Sequence, residues 1–139
     1  GEVLCAIDLD TVMNSTSLND FGDAIRSYAN TGEEDDRDLS RVGMSLDMFR
    51  AYTEGYLSQR AKQLTEPEID NLAFSARYIT YEQVLRFLMD YIDGDTYYKI
   101  KYPEHNLVRT HAQYELLRSM EKQYGTMCDI VRETVAKYR

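Results

Sequence analysis

Apolar residues recur at spacings of three and four along most of this chain of 139 residues, which is the pattern of amphipathic helices. Helices are predicted to start after Asp20, Ser45 and Thr65, because each of these side chains can accept a hydrogen bond from the first helical turn. A last helical region runs from about Asn106 to the end of the sequence, with Gly125 as a candidate break between two helices. The pattern therefore predicts a mainly α fold.

The third of these helices has the clearest start signal. Thr65 is followed by Pro67 and Glu68, a combination in which the threonine and the glutamate cap each other's backbone N–H groups. The apolar residues beyond it predict a central helix, or two helices broken near residues 75–80, and Gly94 follows as a C-cap. The apolar positions of this segment are Ile69, Leu72, Ala73, Ala76, Ile79, Val84, Leu85, Leu88, Met89 and Ile92.

The first ten residues depart from the helical pattern. The run before Asp8 is mostly branched or apolar, which suits a short buried strand that delivers Asp8 and Asp10 at its end. Carboxylates on a rigid strand end are typical ligands for a divalent cation near phosphates. Asp20 and Asp23 bring two more acids back to the same neighbourhood on a turn that enters a helix.

Two polar segments are predicted to be loops. Asparagine, serine and threonine at 14–17 favour a turn before the helix that starts at Asp20. Residues 31–40 include four consecutive acids at 33–36. This segment is interpreted as a solvated loop rather than a metal cage, because adjacent acids on a flexible run do not converge on one point.

The segments AIDLDTV (6–12) and NDFGDAIR (19–26) resemble the metal-binding segment of the aminoglycoside phosphotransferase and choline kinase superfamily. Three later segments, FRAYTEGYL, LRFLMDYIDGDTYYKI and HNLVRTHAQYELLRSME, resemble the C-terminal region of bacterial N-acetylhexosamine kinases in that superfamily. The resemblance implies a single helical domain, residues 1–139, which is the C-terminal lobe of a protein-kinase-like fold with a short N-terminal β segment. It also implies that the ATP-binding lobe and the catalytic loop, which precede these segments in the family, are missing here.

The resemblance assigns roles to Asp8 and Asp20, and their neighbours Asp10 and Asp23 are given supporting roles from their positions. Asp8 matches the family's magnesium ligand, which bridges the ATP phosphates, and Asp10 is a second candidate ligand. Asp20 matches an aspartate that supports the metal-binding loop, and Asp23 would stabilise the start of its helix. The simpler alternatives are an ordinary strand end for Asp8 and a plain N-cap for Asp20.

Three residues resemble sugar-binding positions of the N-acetylhexosamine kinases. Arg86 and Tyr97 lie in the segment LRFLMDYIDGDTYYKI, and Arg109 lies in HNLVR. Guanidinium and phenol groups suit a substrate rich in hydroxyl and amide groups, because both make directed hydrogen bonds. The alternative readings are an ion pair of Arg86 with Asp90, a half-buried rim position for Tyr97 and a helix-surface role for Arg109.

The composition limits the partners. A formal net charge of −8 and a sequence pI near 4.7 argue against a nucleic-acid footprint, and no apolar run reaches the length of a membrane span. Cys5 and Cys128 are isolated from each other, which favours packing residues in a reducing compartment and predicts a cytoplasmic protein.

Two functional readings follow. The first is the substrate- and metal-binding part of an ATP-dependent, magnesium-dependent kinase for an N-acetylhexosamine-like sugar, inactive without its missing N-terminal lobe. Choline, homoserine and an aminoglycoside remain alternative acceptors. The second reading is a non-catalytic helical module or a degenerate kinase remnant, for which exposed Tyr- and Met-rich surface favours a homodimer.

Overall fold

The computed structural model describes residues 15–139, with side chains from Leu18 onward. These residues form six α-helices and one 3-10 turn. The helices are Ser15–Tyr28 (α1), Leu46–Arg60 (α2), Glu66–Asp70 (α3), Leu72–Ile92 (α4), His105–Lys122 (α5) and Tyr124–Tyr138 (α6), and the 3-10 turn is Leu39–Arg41. Within this part of the chain the only β-type pairing is an isolated antiparallel bridge between Asn30 and Met44. The mainly α prediction is confirmed.

Helix α4 is the centre of the fold. It packs against α1 on one side and against α5 on another, and α2 packs against α6. Helices α4 and α5 run antiparallel, because Thr80 contacts Met120 at one level and Asp90 contacts Asn106 near the opposite end. All six helices contribute to the set of largest fully buried apolar side chains: Phe21, Ile25, Phe49, Leu57, Ile69, Leu72, Leu116, Met120, Met127 and Ile130.

Gly22 allows α1 and α4 to approach each other closely. A β-carbon at this position would lie 2.6 Å from the carbonyl oxygen of Ser75 and 2.8 Å from its carbonyl carbon. Both are backbone atoms, so a side chain here could be accommodated only by moving a helix. The glycine therefore sets the distance between these two helices.

Two predicted helix starts are confirmed. The Ser45 hydroxyl accepts a hydrogen bond from the Met48 N–H at 3.2 Å and caps α2. Thr65 accepts from the Glu68 N–H at 3.3 Å, and the Glu68 carboxylate accepts from the Thr65 N–H at 2.7 Å. This reciprocal capping box starts α3, as the pattern predicted.

The predicted start of the first helix is wrong. Helix α1 already includes residues 15–17, which were assigned to a turn, and Asp20 lies inside the helix rather than at its N-cap. The reason is that Leu18 is buried and continues the spacing of Phe21 and Ile25 backward by one turn, so packing against the core favours an earlier start.

Of the two alternatives for the central segment, the unbroken helix is confirmed from Leu72 onward, because α4 runs continuously through residues 75–80. The segment is divided earlier, at Asn71, where the short helix α3 ends. The C-terminal region is divided at Gln123, and Gly125 lies inside α6. Gly94 does follow the end of α4 with a φ of 97°, a conformation that favours glycine.

Three predicted packing positions are also wrong. Met48 and Tyr114 were assigned to apolar core faces but are 39% and 51% exposed. Gly55 was expected to allow another element to approach, yet a β-carbon there would meet nothing within 4 Å. Helical spacing identifies a face of a helix, and the neighbouring helices decide how much of that face is covered.

The predicted N-terminal strand, with Cys5, Asp8 and Asp10, lies outside the described residues. Cys128 lies in α6 as a half-buried free cysteine. None of the helices in residues 15–139 is long and apolar enough to cross a membrane.

Candidate functional site

Asp90, in the last turn of α4, is a buried carboxylate that organises the loop after that helix. It is 6% exposed. One carboxylate oxygen accepts a hydrogen bond from the Tyr97 N–H at 2.8 Å. The other accepts from the Tyr98 N–H at 3.0 Å and from the Asn106 side-chain amide at 2.7 Å. Asp90 therefore ties the end of α4 to the following loop and to the start of α5.

These donors also control the ionisation of Asp90. Burial alone raises the pKa of a carboxyl group, because it disfavours the charged form. Here the hydrogen bonds from the Tyr98 and Tyr97 N–H groups and from Asn106 outweigh burial, and the pKa of Asp90 lies below its ordinary value. The carboxylate is therefore charged at neutral pH.

Arg109 is held on the other side of Asn106. Its guanidinium donates to the Asn106 side-chain oxygen at 2.8 Å and to the Lys99 carbonyl at 3.1 Å. It also lies over the Phe87 ring, 5.4 Å from the ring centroid. These contacts attach Arg109 to the loop, so its role extends beyond the helix surface.

Tyr97 projects from the same loop. Its side chain is 77% exposed, which is more than the half-buried rim position considered from sequence. The Tyr97 and Tyr98 rings make a T-shaped contact with 4.8 Å between centroids, and Tyr98 packs on Phe87 at 4.8 Å. Since Arg109 packs on the same Phe87, the structure brings Tyr97 and Arg109 to one aromatic cluster.

Arg86 occupies a different position. Its side chain is 57% exposed, and its guanidinium lies 3.8 Å from the carboxylate of Glu82. The alternative considered for Arg86, an ion pair with Asp90, is wrong, because the Asp90 carboxylate instead accepts hydrogen bonds from the loop backbone and from Asn106. Arg86 is exposed to solvent on α4 and does not belong to the cluster of Tyr97 and Arg109.

His105 links the acidic loop, residues 31–40, to the start of α5. It is 1% exposed, and its Nδ1 accepts from the Lys101 N–H at 3.2 Å. Its Nε2 lies 2.8 Å from the Asp35 carboxylate, and the ring stacks on Tyr102. The hydrogen bond from His105 holds the pKa of Asp35 below its ordinary value. The acidic loop is therefore anchored to α5 at this point.

The two acids in α1 have ordinary surface surroundings. Asp20 is exposed, and Asp23 accepts from Arg26 at 3.0 Å. Arg26 also bonds Glu34 at 2.9 Å and the buried Gln113 side chain at 3.1 Å. Arg26, Glu34 and Gln113 border an open, polar cleft of about 290 Å³ between α1, the acidic loop and α5.

The described residues do not by themselves provide a metal centre. Within residues 15–139, no three His, Cys, Asp or Glu side chains converge in a way that could hold a metal ion. The two acids assigned to magnesium, Asp8 and Asp10, lie outside this range.

No known protein-family model matches the sequence.

Sequence reasoning missed the central role of Asp90 and Asn106. A signal was present, because Asp90 continues the spacing of the buried residues Val84 and Phe87 and so falls on the covered face of α4. A charged residue on a covered face needs partners, since an unpaired buried charge is strongly unfavourable. The sequence could not show that Asn106 and two backbone N–H groups supply them.

Proposed function

We propose that this chain is the substrate- and metal-binding helical lobe of an ATP-dependent phosphotransferase whose acceptor is an N-acetylhexosamine-like sugar. The proposal includes a protein-kinase-like fold and an N-terminal lobe that supplies ATP binding and the catalytic loop. The isolated chain is expected to be inactive. The ordered resemblance of five segments to that superfamily supports the assignment.

The observation that carries the proposal is the anchoring of the loop between α4 and α5 by Asp90. This loop presents Tyr97 to solvent, and the same network fixes Arg109 beside it. A sugar offers hydroxyl groups and apolar C–H faces, which a guanidinium and an aromatic ring can contact. Because the anchors are buried and fully hydrogen-bonded, the binding groups are positioned before substrate arrives.

Magnesium and ATP enter the proposal through Asp8 and Asp10. A bound magnesium ion neutralises phosphate charge during phosphoryl transfer. Asp8 would be its main ligand, and Asp10 would be a second one. The residues of α4 and its loop would bind and orient the acceptor.

The proposal is tested by measuring ATP consumption by the full-length gene product. The acceptors are N-acetylhexosamines, simple hexoses, choline, homoserine and aminoglycosides. The expected result is magnesium-dependent turnover of an N-acetylhexosamine that is lost in Asp8→Asn. A folded full-length protein that turns over none of these acceptors would overturn the assignment.

Sugar binding is tested separately with matched tyrosine variants. Tyr97→Ala is expected to raise the KM for the sugar roughly tenfold, because it removes the exposed ring that the Asp90-anchored loop presents to the substrate. Tyr114→Ala is the control, because Tyr114 is also an exposed tyrosine, 51% exposed, and lies on α5. Equal KM values in the two variants would remove Tyr97 from the sugar site.

A non-catalytic helical interaction module is the second candidate. It is favoured by the large apolar side chains that α4 exposes to solvent, described below. A cationic acceptor such as choline is a variation within the kinase class, and the acceptor panel distinguishes it. The free, half-buried Cys128 is compatible with the proposed cytoplasmic location.

A further inference from the structure

Helix α4 carries a continuous apolar stripe on its solvent side. Five large side chains form this α4 stripe: Tyr78 (45% exposed), Tyr81 (50%), Leu85 (39%), Met89 (61%) and Ile92 (71%). Their spacings of three and four residues place them on one face of the helix. The stripe covers about four turns, or about 21 Å of helix length. An ordered row of exposed apolar residues on this scale marks an interaction surface.

The stripe is self-complementary in an antiparallel arrangement. Leu85 is its midpoint, and the other residues lie at equal distances on either side: Tyr81 and Met89 four residues away, Tyr78 and Ile92 seven residues away. When two α4 helices pair about a two-fold axis at Leu85, the aromatic half of each covers the aliphatic half of the other. Met89 then approaches Tyr81, a favourable sulfur–aromatic combination.

The charges beside the stripe agree with the same arrangement. Glu82 and Arg86 lie next to Leu85 on one flank and pair within the helix at 3.8 Å. Pairing two α4 helices antiparallel about Leu85 brings Glu82 of each copy opposite Arg86 of the other, so the attraction is retained across the contact. The bulky residues and the charges therefore favour the same partner and the same orientation.

We infer that the α4 stripe is the interface of a homodimer, in which a second copy of this chain pairs its α4 antiparallel about Leu85. This inference does not rest on the proposed sugar phosphotransferase. A standard dimer interface takes about 800 Å² from each partner, roughly a tenth of a small protein's surface, and a single helix pair lies at the low end. The expected dissociation constant is about 1–100 µM.

The first test is sedimentation velocity over a protein range of about 1–200 µM, which brackets that dissociation constant. The net charge of −8 per copy makes salt necessary, and about 0.15 M reduces the screening length to about 8 Å. The wild-type chain is expected to shift from monomer to dimer. Met89→Glu, which places a charge in the stripe, is expected to weaken association at least about tenfold.

Met48→Glu is the matched control. Met48 is also an exposed helical methionine, 39% exposed, and it lies on α2 away from the stripe. The Met48→Glu variant is expected to dimerise with the same dissociation constant as the wild type. Circular dichroism of each variant shows whether it remains folded, so loss of the dimer can be separated from loss of structure.

The second test determines orientation by disulfide cross-linking in a chain with Cys5→Ser and Cys128→Ser. Leu85→Cys is expected to cross-link to itself, since the two-fold axis places it opposite its own copy. Tyr78→Cys is expected to cross-link only when mixed with Ile92→Cys. Self-linking of Tyr78→Cys would instead indicate a parallel pair and overturn the antiparallel interface.

Three further outcomes would overturn the dimer itself. The first is a wild-type chain that stays monomeric throughout the concentration range. The second is a folded Met89→Glu variant that associates as strongly as Met48→Glu. The third is steady growth into larger oligomers, because a two-fold interface closes at two copies.

Discussion

Asn106, in the first turn of α5, donates its side-chain amide to Asp90 in the last turn of α4 at 2.7 Å. The bond closes the base of the loop between the two helices. The same carboxylate binds the backbone of Tyr97 and Tyr98 inside that loop. One buried side chain thus connects helix packing to the placement of the candidate sugar-binding residues.

Replacing Asp90 by asparagine is expected to lower the thermal stability and to loosen the loop. The amide keeps the shape of the carboxylate, but its NH₂ group faces groups that also donate. Backbone hydrogen exchange at Tyr97 and Tyr98 should become faster. Asp93→Asn, an exposed change one turn further on, is the control and should leave this exchange unchanged.

The stability that Asp90 contributes is expected to depend on pH. The pKa of Asp90 is lower in the folded state than in the unfolded chain, where it is about 3.9. Its stabilising contribution is therefore complete above about pH 5 and is lost as pH falls below about 4. Denaturant unfolding from pH 7 to 3 should show the stability difference between wild type and Asp90→Asn narrowing below pH 4. A difference that stays constant would contradict the assigned pKa shift.

Gly22→Ala is expected to destabilise the protein by about 1–3 kcal/mol, because the new methyl group would overlap the Ser75 backbone. The higher helix propensity of alanine offsets up to about 1 kcal/mol of this cost. Gly55→Ala is the matched control, since it is helical and has open space around it. It should stabilise by about 0.5–1 kcal/mol in urea unfolding. Equal effects at the two glycines would refute the close approach of α1 and α4.

Thr53→Val is expected to leave stability unchanged or to raise it by about 1 kcal/mol. The Thr53 hydroxyl in α2 is fully buried and has no hydrogen-bond partner among the described residues. An unpartnered buried hydroxyl is unfavourable, and valine removes it at nearly the same volume. Thr134→Val is the comparison, because Thr134 is equally buried but its hydroxyl bonds the Ile130 carbonyl at 2.7 Å. A larger gain in melting temperature for Thr134→Val than for Thr53→Val would contradict the argument.

Thr65→Ala is expected to lower the free energy of unfolding by about 1 kcal/mol, because it removes the hydroxyl that accepts a hydrogen bond from the Glu68 N–H in the α3 capping box. Thr65→Ser keeps the accepting oxygen and should recover most of the loss. Chemical denaturation of both variants measures the difference. If serine is as destabilising as alanine, the hydrogen bond to the Glu68 N–H is not what stabilises this helix start.

Signals within one or two helical turns were read correctly from the sequence. Ser45, the Thr65 capping box and Gly94 act between residues that are neighbours along the chain, so their chemistry is visible in order. The predicted start of α1 was wrong because Asp20 has the chemistry of an N-cap, whereas burial of Leu18 in the core extends the helix further toward the N-terminus.

The positions of the helix breaks and of the exposed helix faces depend on tertiary packing. Gly125 and residues 75–80 are locally compatible with a break, but tertiary packing keeps both helices continuous there. Leu85, Met89 and Ile92 belong to an apolar pattern that predicted a central helix, and they are nevertheless exposed. A periodic pattern is the same for a face covered by another helix and for one that awaits a partner.

The sequence by itself therefore determined a mainly α protein, two of its helix caps and the residues on which the kinase resemblance depends. The tertiary structure decided that Asp90 meets Asn106, that Gly22 lies against Ser75, and that one side of α4 remains open. The physical reason is distance along the chain. Caps and periodicity arise from neighbouring residues, whereas these contacts depend on how whole helices pack after the chain has folded.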